Sequence, residues 1–315
     1  MVAAAMYLRV RTVALNAYRE SVRARILLGL AGVAFAISVF SLVIGSFTLT
    51  NAPRVLSDLG SASISIFSVA VAIVSGATSL YRELEQKTIF PILARPIGRG
   101  EYVVGKFLGV MLTIAVFVAA DSGLVLALCG ILGGHNPALV GGVCVALAGA
   151  LGAFAYFSPW ARTYGPIPWA ALLLLVGILF SANAPDERRL VLTSSLLALL
   201  EVSIVAAFAT LLSAFSSPFL SALLTIGVWV IGRSSGALEK FPVKFFGPEI
   251  AEAARVLGKL VPNLQMFVPP RPLLTGEAAD VDRAHYLLLA AGTSIGWTVG
   301  VLALAVIVFR RRDFL

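Results

Sequence analysis

Residues 81–106 read YRELEQKTIFPILARPIGRGEYVVGK. They lie between Ser61–Leu80, SASISIFSVAVAIVSGATSL, and Phe107–Leu132, FLGVMLTIAVFVAADSGLVLALCGIL. Each flank is as long and as apolar as a bilayer-spanning helix requires, about 20 residues. The segment between them carries Arg82, Glu83, Glu85, Lys87, Arg95, Arg99, Glu101 and Lys106, in a chain with only 24 Lys and Arg and 16 Asp and Glu. Span, charged island, span is the pattern of an all-α polytopic membrane protein. It also marks the island as a place for another protein to touch this one.

Composition agrees with that pattern. The 315 residues are 59% hydrophobic and 13% charged, and the mean hydropathy is +0.96. Soluble domains carry about 25% charged residues, so this chain has too little polar surface to coat a globule. Length alone would suggest about two soluble domains; one membrane domain, residues 26–315, is expected instead. Apolar runs occur at Ile26–Phe47, Ser61–Leu80, Phe107–Leu132, Ala138–Phe157, Ile167–Asn183, Leu190–Ser213 and His285–Phe309, with a shorter uncharged run at Pro218–Gly232. Counting all of them gives eight spans; without the weaker pair between Ala138 and Asn183 the count is six. Both numbers are even, which puts the termini on one side.

Charge chooses the side. With eight spans, one face holds 14 cations and the other 10, and the excess flanks the first three spans and the last. The positive-inside rule then places both termini and the island in the cytoplasm. Residues 1–25 are basic, and the apolar run after them exceeds a signal-peptide core of roughly 7–15 residues, so no cleavable signal is expected. Within them Tyr7, Val10, Ala14, Ala17 and Tyr18 recur at helical spacing between arginines, the pattern of an amphipathic helix in the membrane interface or of a helix that simply leads into the first span. The net charge of +8 is accounted for by flanking cations and anionic membrane lipids, with no nucleic acid implied.

The chemistry-bearing residues exclude more than they assign. Gly100–Lys106, GEYVVGK, fits the spacing of a phosphate-binding P-loop, but Phe107 replaces the Mg²⁺-binding Ser or Thr and no strand precedes it. Neither His135 nor His285 has a partner at metal-ligand spacing, no serine-hydrolase or zinc-protease motif occurs, and Cys129 and Cys144 sit in apolar runs as buried thiols. The chain is therefore expected to be a non-catalytic subunit with no cofactor of its own. Asp121 and Glu201 lie in the middle of apolar runs, where an acid is costly unless paired, protonated or facing water. They either line a substrate or ion path or lock helices by hydrogen bonds; no Lys or Arg lies within the apolar runs to pair with them. Gly292, Gly296 and Gly300 share one helix face, a pattern for close packing within the chain or across a dimer. The loop Arg233–Ala284 holds an amphipathic segment, Pro248–Leu260, with Ile250, Ala254, Leu257 and Val261 on one face, expected to be a lid or surface helix. In the island, Leu84, Thr88, Phe90, Ile92 and Leu93 oppose the charged side. A short surface helix held between two spans suits force transmission, and an ordinary charged loop fits the same residues.

Here the residues resemble a known family. Arg82-Glu83-Leu84-Glu85-Gln86-Lys87-Thr88, then Leu93-Ala94-Arg95-Pro96-Ile97 and Arg99-Gly100-Glu101-Tyr102-Val103-Val104-Gly105-Lys106-Phe107-Leu108-Gly109, are similar to the segment after the second span in type-2 ABC transporter permeases. The branch grouped with copper-enzyme maturation and sodium or drug export permeases is the most similar. Val261-Pro262-Asn263-Leu264 and the terminal Phe309-Arg310-Arg311-Arg312-Asp313-Phe314 resemble the same branch. The resemblance implies a coupling helix in the loop 81–106, with Arg82, Glu83, Glu85, Lys87, Thr88, Arg95, Pro96 and Arg99 docking on a separate ABC ATPase subunit that binds the ATP and Mg²⁺. It implies that residues 1–25 are an interfacial elbow, that a second permease copy or a paralogue completes the transporter, and that the protein sits in a bacterial inner membrane. It implies a six-span core, so that Ala138–Asn183 is an inserted hairpin. An exporter, or a transmitter of motion to an extracytoplasmic partner, follows. The residues by themselves also leave an ATPase-independent channel or secondary transporter using Asp121 and Glu201, or a membrane anchor for a soluble complex.

Overall fold

The computed structural model describes residues 2–48, 51–79, 98–240, 248–276 and 282–311. The elements in order are α1 (Val2–Arg23), α2 (Arg25–Ser46), α3 (Ala52–Ser79), α4 (Arg99–Leu132), α5 (Pro137–Phe157), α6 (Pro159–Tyr164) and α7 (Pro166–Phe180). They continue with α8 (Pro185–Ser213), α9 (Pro218–Arg233), α10 (Ser235–Glu239), α11 (Pro248–Leu260), α12 (Arg271–Thr275) and α13 (Arg283–Arg311). Short 3₁₀ turns at Ser181–Asn183 and Leu264–Phe267 follow α7 and precede α12. No strand occurs among the described residues.

Proline sets many of the boundaries. Pro137, Pro159, Pro166, Pro185, Pro218 and Pro248 each open a helix. At the first helical position proline has no amide hydrogen to leave unpaired, and its φ is already helical. The Asn136 and Ser158 side chains accept hydrogen bonds from the amides of Ala138 and Ala161 and so cap α5 and α6. Among the described residues seven helices are long and apolar enough to cross a membrane: α2, α3, α4, α5, α7 with its terminal turn, α8 and α13. The eighth apolar run forms α9, only 16 residues long.

Helices α3, α4 and α8 pack on one another and form the centre. Ile64 and Ala72 of α3, Ile114 and Leu126 of α4, and Ile204 and Val202 of α8 are all buried there. Around them, α2 lies on α3 and α4, α7 on α4, α13 on α8 and α4, and α9 on α8 and α3. Lipid tails are as apolar as leucine, so helices in a bilayer associate through close packing and hydrogen bonds rather than hydrophobic exclusion. The hydroxyls at the centre supply such bonds. Ser122 meets Ser195 at 2.7 Å, Ser194 donates to Ser61 at 3.0 Å, and Ser203 meets Ser294 at 2.8 Å and Thr298 at 3.0 Å.

The two helices between Ala138 and Asn183 differ. In α5 only Val140 is buried, so its surface faces outward along its length. Helix α7 instead crosses α4 backbone to backbone: a Cβ added at Gly123 would fall 2.6 Å from the Leu173 carbonyl carbon. Half of this hairpin is thus built into the core and half lies at the periphery.

Three of the predicted faces have distinct surroundings. Of the α1 stripe, Ala17 and Tyr18 are buried against protein, as is the neighbouring Val13, while Tyr7 is exposed. Gly109 of α4 makes room for it, since a Cβ there would sit 2.5 Å from the Ala17 Cβ and against the Ala14 carbonyl. In α11 Ala254 is buried but Leu257 is exposed, with Val256 and Leu260 beside it; the helix rests on α9 and α10 by a narrow edge. Among the described residues nothing packs on Gly292, Gly296 or Gly300: a Cβ at any of them meets no atom within 4 Å. Helix α13 docks on α8 by its other side, through Ser294 and Thr298.

Candidate functional site

Polar side chains concentrate at two levels of the bundle. The first is the stem of the charged island, where α4 begins. The Gly98 amide donates to the Glu101 carboxylate at 3.1 Å, closing the first turn, and Glu101 also pairs with Arg9 of α1 at 3.5 Å. The Arg99 guanidinium donates to the Arg310 carbonyl at the end of α13, at 2.7 Å. Tyr102 is buried and stacks on Phe309, ring centroids 6.1 Å apart. One turn further, Lys106 is only 1% exposed and its ammonium lies 3.0 Å from Glu20 of α1. A buried charge of this kind needs a paired, hydrogen-bonded partner, and Glu20 provides one. The start of α4 is therefore tied to α1 on one side and to the end of α13 on the other. Arg82, Glu83, Glu85, Lys87, Thr88, Arg95 and Pro96 lie outside the described residues; of the expected docking set, Arg99 lies within them.

The second level lies deeper. Glu201 of α8 is fully buried and accepts from Arg233 Nε at 2.7 Å, Arg233 Nη2 at 2.8 Å and Trp229 Nε1 at 2.9 Å. Arg233 Nη2 also donates to Ser65 of α3 at 2.8 Å, and its guanidinium lies 5.6 Å from the Trp229 ring centre. This corrects the expectation that Glu201 has no cation to pair with. The sequence places Arg233 at the start of a loop, but it is the last residue of α9. Sixteen helical residues rise only about 24 Å, less than the roughly 30 Å hydrocarbon core. A helix that short carries its terminal cation beside Glu201. The length of the run 218–232 was the available signal.

Arg233 also faces a cavity of about 260 Å³ that reaches toward the start of α3. Asp58, Ser61, Ser65 and Ser194 line one side, Arg271 lies at its edge, and Phe267, Pro269 and Leu274 form the apolar wall. Arg271, carried on α12, pairs with Asp58 at 2.5 Å and Glu187 at 3.5 Å. The segment 262–276 thus folds back over the bundle, and Tyr286 of α13 holds it there by donating to the Met266 carbonyl. Both arginines are neutralised by acids, so the cavity presents a balanced polar floor beneath apolar walls.

Asp121 of α4 is held separately. It is fully buried, and one carboxylate oxygen accepts from Ser38 of α2 at 2.8 Å. The other oxygen has no hydrogen-bond partner among the described residues. The two acids expected to share a role have different surroundings: Glu201 belongs to an ionic network beside a cavity, and Asp121 bridges two helices. Arg233, Trp229, Ser65, Asp58 and Arg271 were not singled out from the sequence, because the contacts joining them span α3, α8, α9 and α12.

The family model described as ABC-2 family transporter protein matches residues 11–314. No curated protein matches the chain.

Proposed function

Because the chain belongs to the ABC-2 transporter family, we propose that this multi-pass membrane transporter subunit couples ATP hydrolysis in a separate ABC ATPase subunit to movement of its own helices. The ATPase binds the ATP and Mg²⁺ and docks on the island through Arg82, Glu83, Glu85, Lys87, Thr88, Arg95, Pro96 and Arg99. Two permease copies, or one copy and a paralogue, make up the membrane part, in a bacterial inner membrane with both termini cytoplasmic. The motion drives export or is passed on to an extracytoplasmic partner.

One observation carries this reading: the island stem is the start of a single 34-residue helix fastened at that end to both α1 and α13. Such a helix is about 51 Å long at 1.5 Å per residue. A load applied at the island reaches α1 through Glu101–Arg9 and Lys106–Glu20, and α13 through Arg99–Arg310 and Tyr102–Phe309. The same helix packs on α3 and α8, which hold the Glu201–Arg233 network and the cavity above it. Interlocked helices shift as units rather than deforming continuously, so tilting α4 changes the packing around that cavity. Glu201, Arg233 and Arg271 are the residues this reading places along the path.

Charge reversal tests the docking. The double variant Glu83→Lys/Glu85→Lys is expected to fold and insert normally but to lose co-purification with the partner ABC ATPase. Retention of the ATPase at wild-type yield would refute the docking. Ion flux through liposomes holding the chain alone would point to an autonomous channel instead.

A further inference from the structure

Three arginines surround one mouth at the end of the bundle where α1 meets α2. Arg23 ends α1, Arg25 begins α2 and Arg162 lies in α6. Together they line a cleft of about 690 Å³. None of the three forms an ion pair or a side-chain hydrogen bond among the described residues, unlike Arg9, Arg233 and Arg271. The cleft continues into a slot of about 230 Å³, and the two share Val22, Leu28, Leu151 and Pro166 as common walls. Deeper in the slot the walls are Ala31, Phe35, Phe117, Ala120 and Trp169. Its polar members are Thr113, whose hydroxyl donates to the Gly109 carbonyl, and Tyr18. The Tyr18 hydroxyl is buried and has no partner among the described residues. Its ring stacks on Tyr164, two residues beyond Arg162.

A cationic rim that opens into a hydrocarbon-lined slot selects an amphiphile with an anionic head. A soluble anion would leave the slot unfilled, and a neutral lipid would leave three guanidinium groups without counter-charge. We propose that the cleft and slot hold one anionic phospholipid of the surrounding bilayer, with its phosphate on Arg23, Arg25 and Arg162 and one acyl chain in the slot. Guanidinium groups match phosphate oxygens through paired, charge-assisted hydrogen bonds. The glycerol ester region lies between head and tail, where the Tyr18 hydroxyl can donate to an ester carbonyl. Burial, reinforced by Tyr164, pushes that hydroxyl up to about 12, so it remains a donor at neutral pH. The lipid then braces the junction of α1, α2, α6 and α7, on the side of α4 away from the Glu201 network.

The test uses the full-length chain in nanodiscs of equal phosphatidylglycerol and phosphatidylcholine, released into mild detergent and weighed by native mass spectrometry. Wild type is expected to carry one phosphatidylglycerol per chain in preference to phosphatidylcholine. Arg23→Gln/Arg25→Gln/Arg162→Gln is expected to lower that preference about tenfold or more, since each cation near an anionic surface adds attraction. Ala31→Phe fills the slot without touching charge and is expected to reduce retention too; it decides the matter alone if the arginine variant does not fold. Arg188→Gln/Arg189→Gln, at the opposite end of the bundle, should leave retention unchanged. Equal retention by wild type and both site variants, or an equal fall in the Arg188/Arg189 control, overturns the proposal. So does a fall in retention that coincides with loss of a dimer, which would assign the cleft to a second copy. Lipid retention is read without any ATPase, so this result is independent of the coupling mechanism.

Discussion

Replacing Arg233 by methionine isolates the role of the Glu201 network. Glu201 is 0% exposed and takes three hydrogen bonds, two of them from Arg233. The variant leaves the carboxylate with only the Trp229 indole. Removing one partner of a buried ion pair costs about 3–5 kcal/mol. The Arg233 side chain is 25% exposed, toward the cavity, so water can partly reach the site and the lower end, about 3 kcal/mol, is expected. That is about two decades in the unfolding equilibrium. Glu201→Gln should cost less, about 1–2 kcal/mol, because the amide oxygen still accepts from Trp229 and the remaining guanidinium can be solvated through the cavity. Glu201→Met/Arg233→Met should return to within about 1 kcal/mol of wild type, since apolar groups of similar volume often replace a buried pair without loss. Reversible unfolding in mixed detergent micelles, with Glu201→Met added to close the double-mutant cycle, measures the coupling. A coupling below about 0.5 kcal/mol, or a Glu201→Gln variant less stable than Arg233→Met, would refute this account.

Two further outcomes follow from individual contacts. Gly109→Leu puts a side chain into the Ala14–Ala17 backbone of α1; overpacking costs about 1–3 kcal/mol and should release α1. Loss of an engineered disulfide between α1 and α4 would report that release, and unchanged cross-linking would count against it. Asp121→Asn keeps an oxygen for the Ser38 hydroxyl and removes a charge whose second oxygen has no described partner. Its thermal midpoint in detergent should equal or exceed that of wild type, whereas a fall of several degrees would show an unrecognised cation at Asp121.

Much of the architecture was legible because bilayer thickness imposes a length on each helix. The runs at 61–80, 107–132 and 190–213 became α3, α4 and α8, and the prolines at 185, 218 and 248 opened the helices as their chemistry predicts. The amphipathic segment Pro248–Leu260 is helix α11 with those bounds, with Ala254 buried and Val256, Leu257 and Leu260 exposed. Helical periodicity identifies which residues share a face, but not what that face meets. The stripe of α1 and the glycines of α13 show the difference. The first packs on α4 through Ala17 and Tyr18, because Gly109 lets α1 approach. The second meets nothing among the described residues.

Composition and periodicity alone therefore determined that this is a polytopic helical protein, with charge gathered into one loop and two acids buried in its spans. They did so because the energetic demands of a bilayer act locally along the chain. The tertiary structure alone decided what those acids do. Asp121 bonds to Ser38, 83 positions away, and Glu201 to Arg233, 32 positions away at the end of a separate 16-residue helix. A carboxylate's role depends on which charges and hydrogen-bond donors lie within about 4 Å of it. No pattern along one chain specifies that neighbourhood when the partners arrive on separate helices.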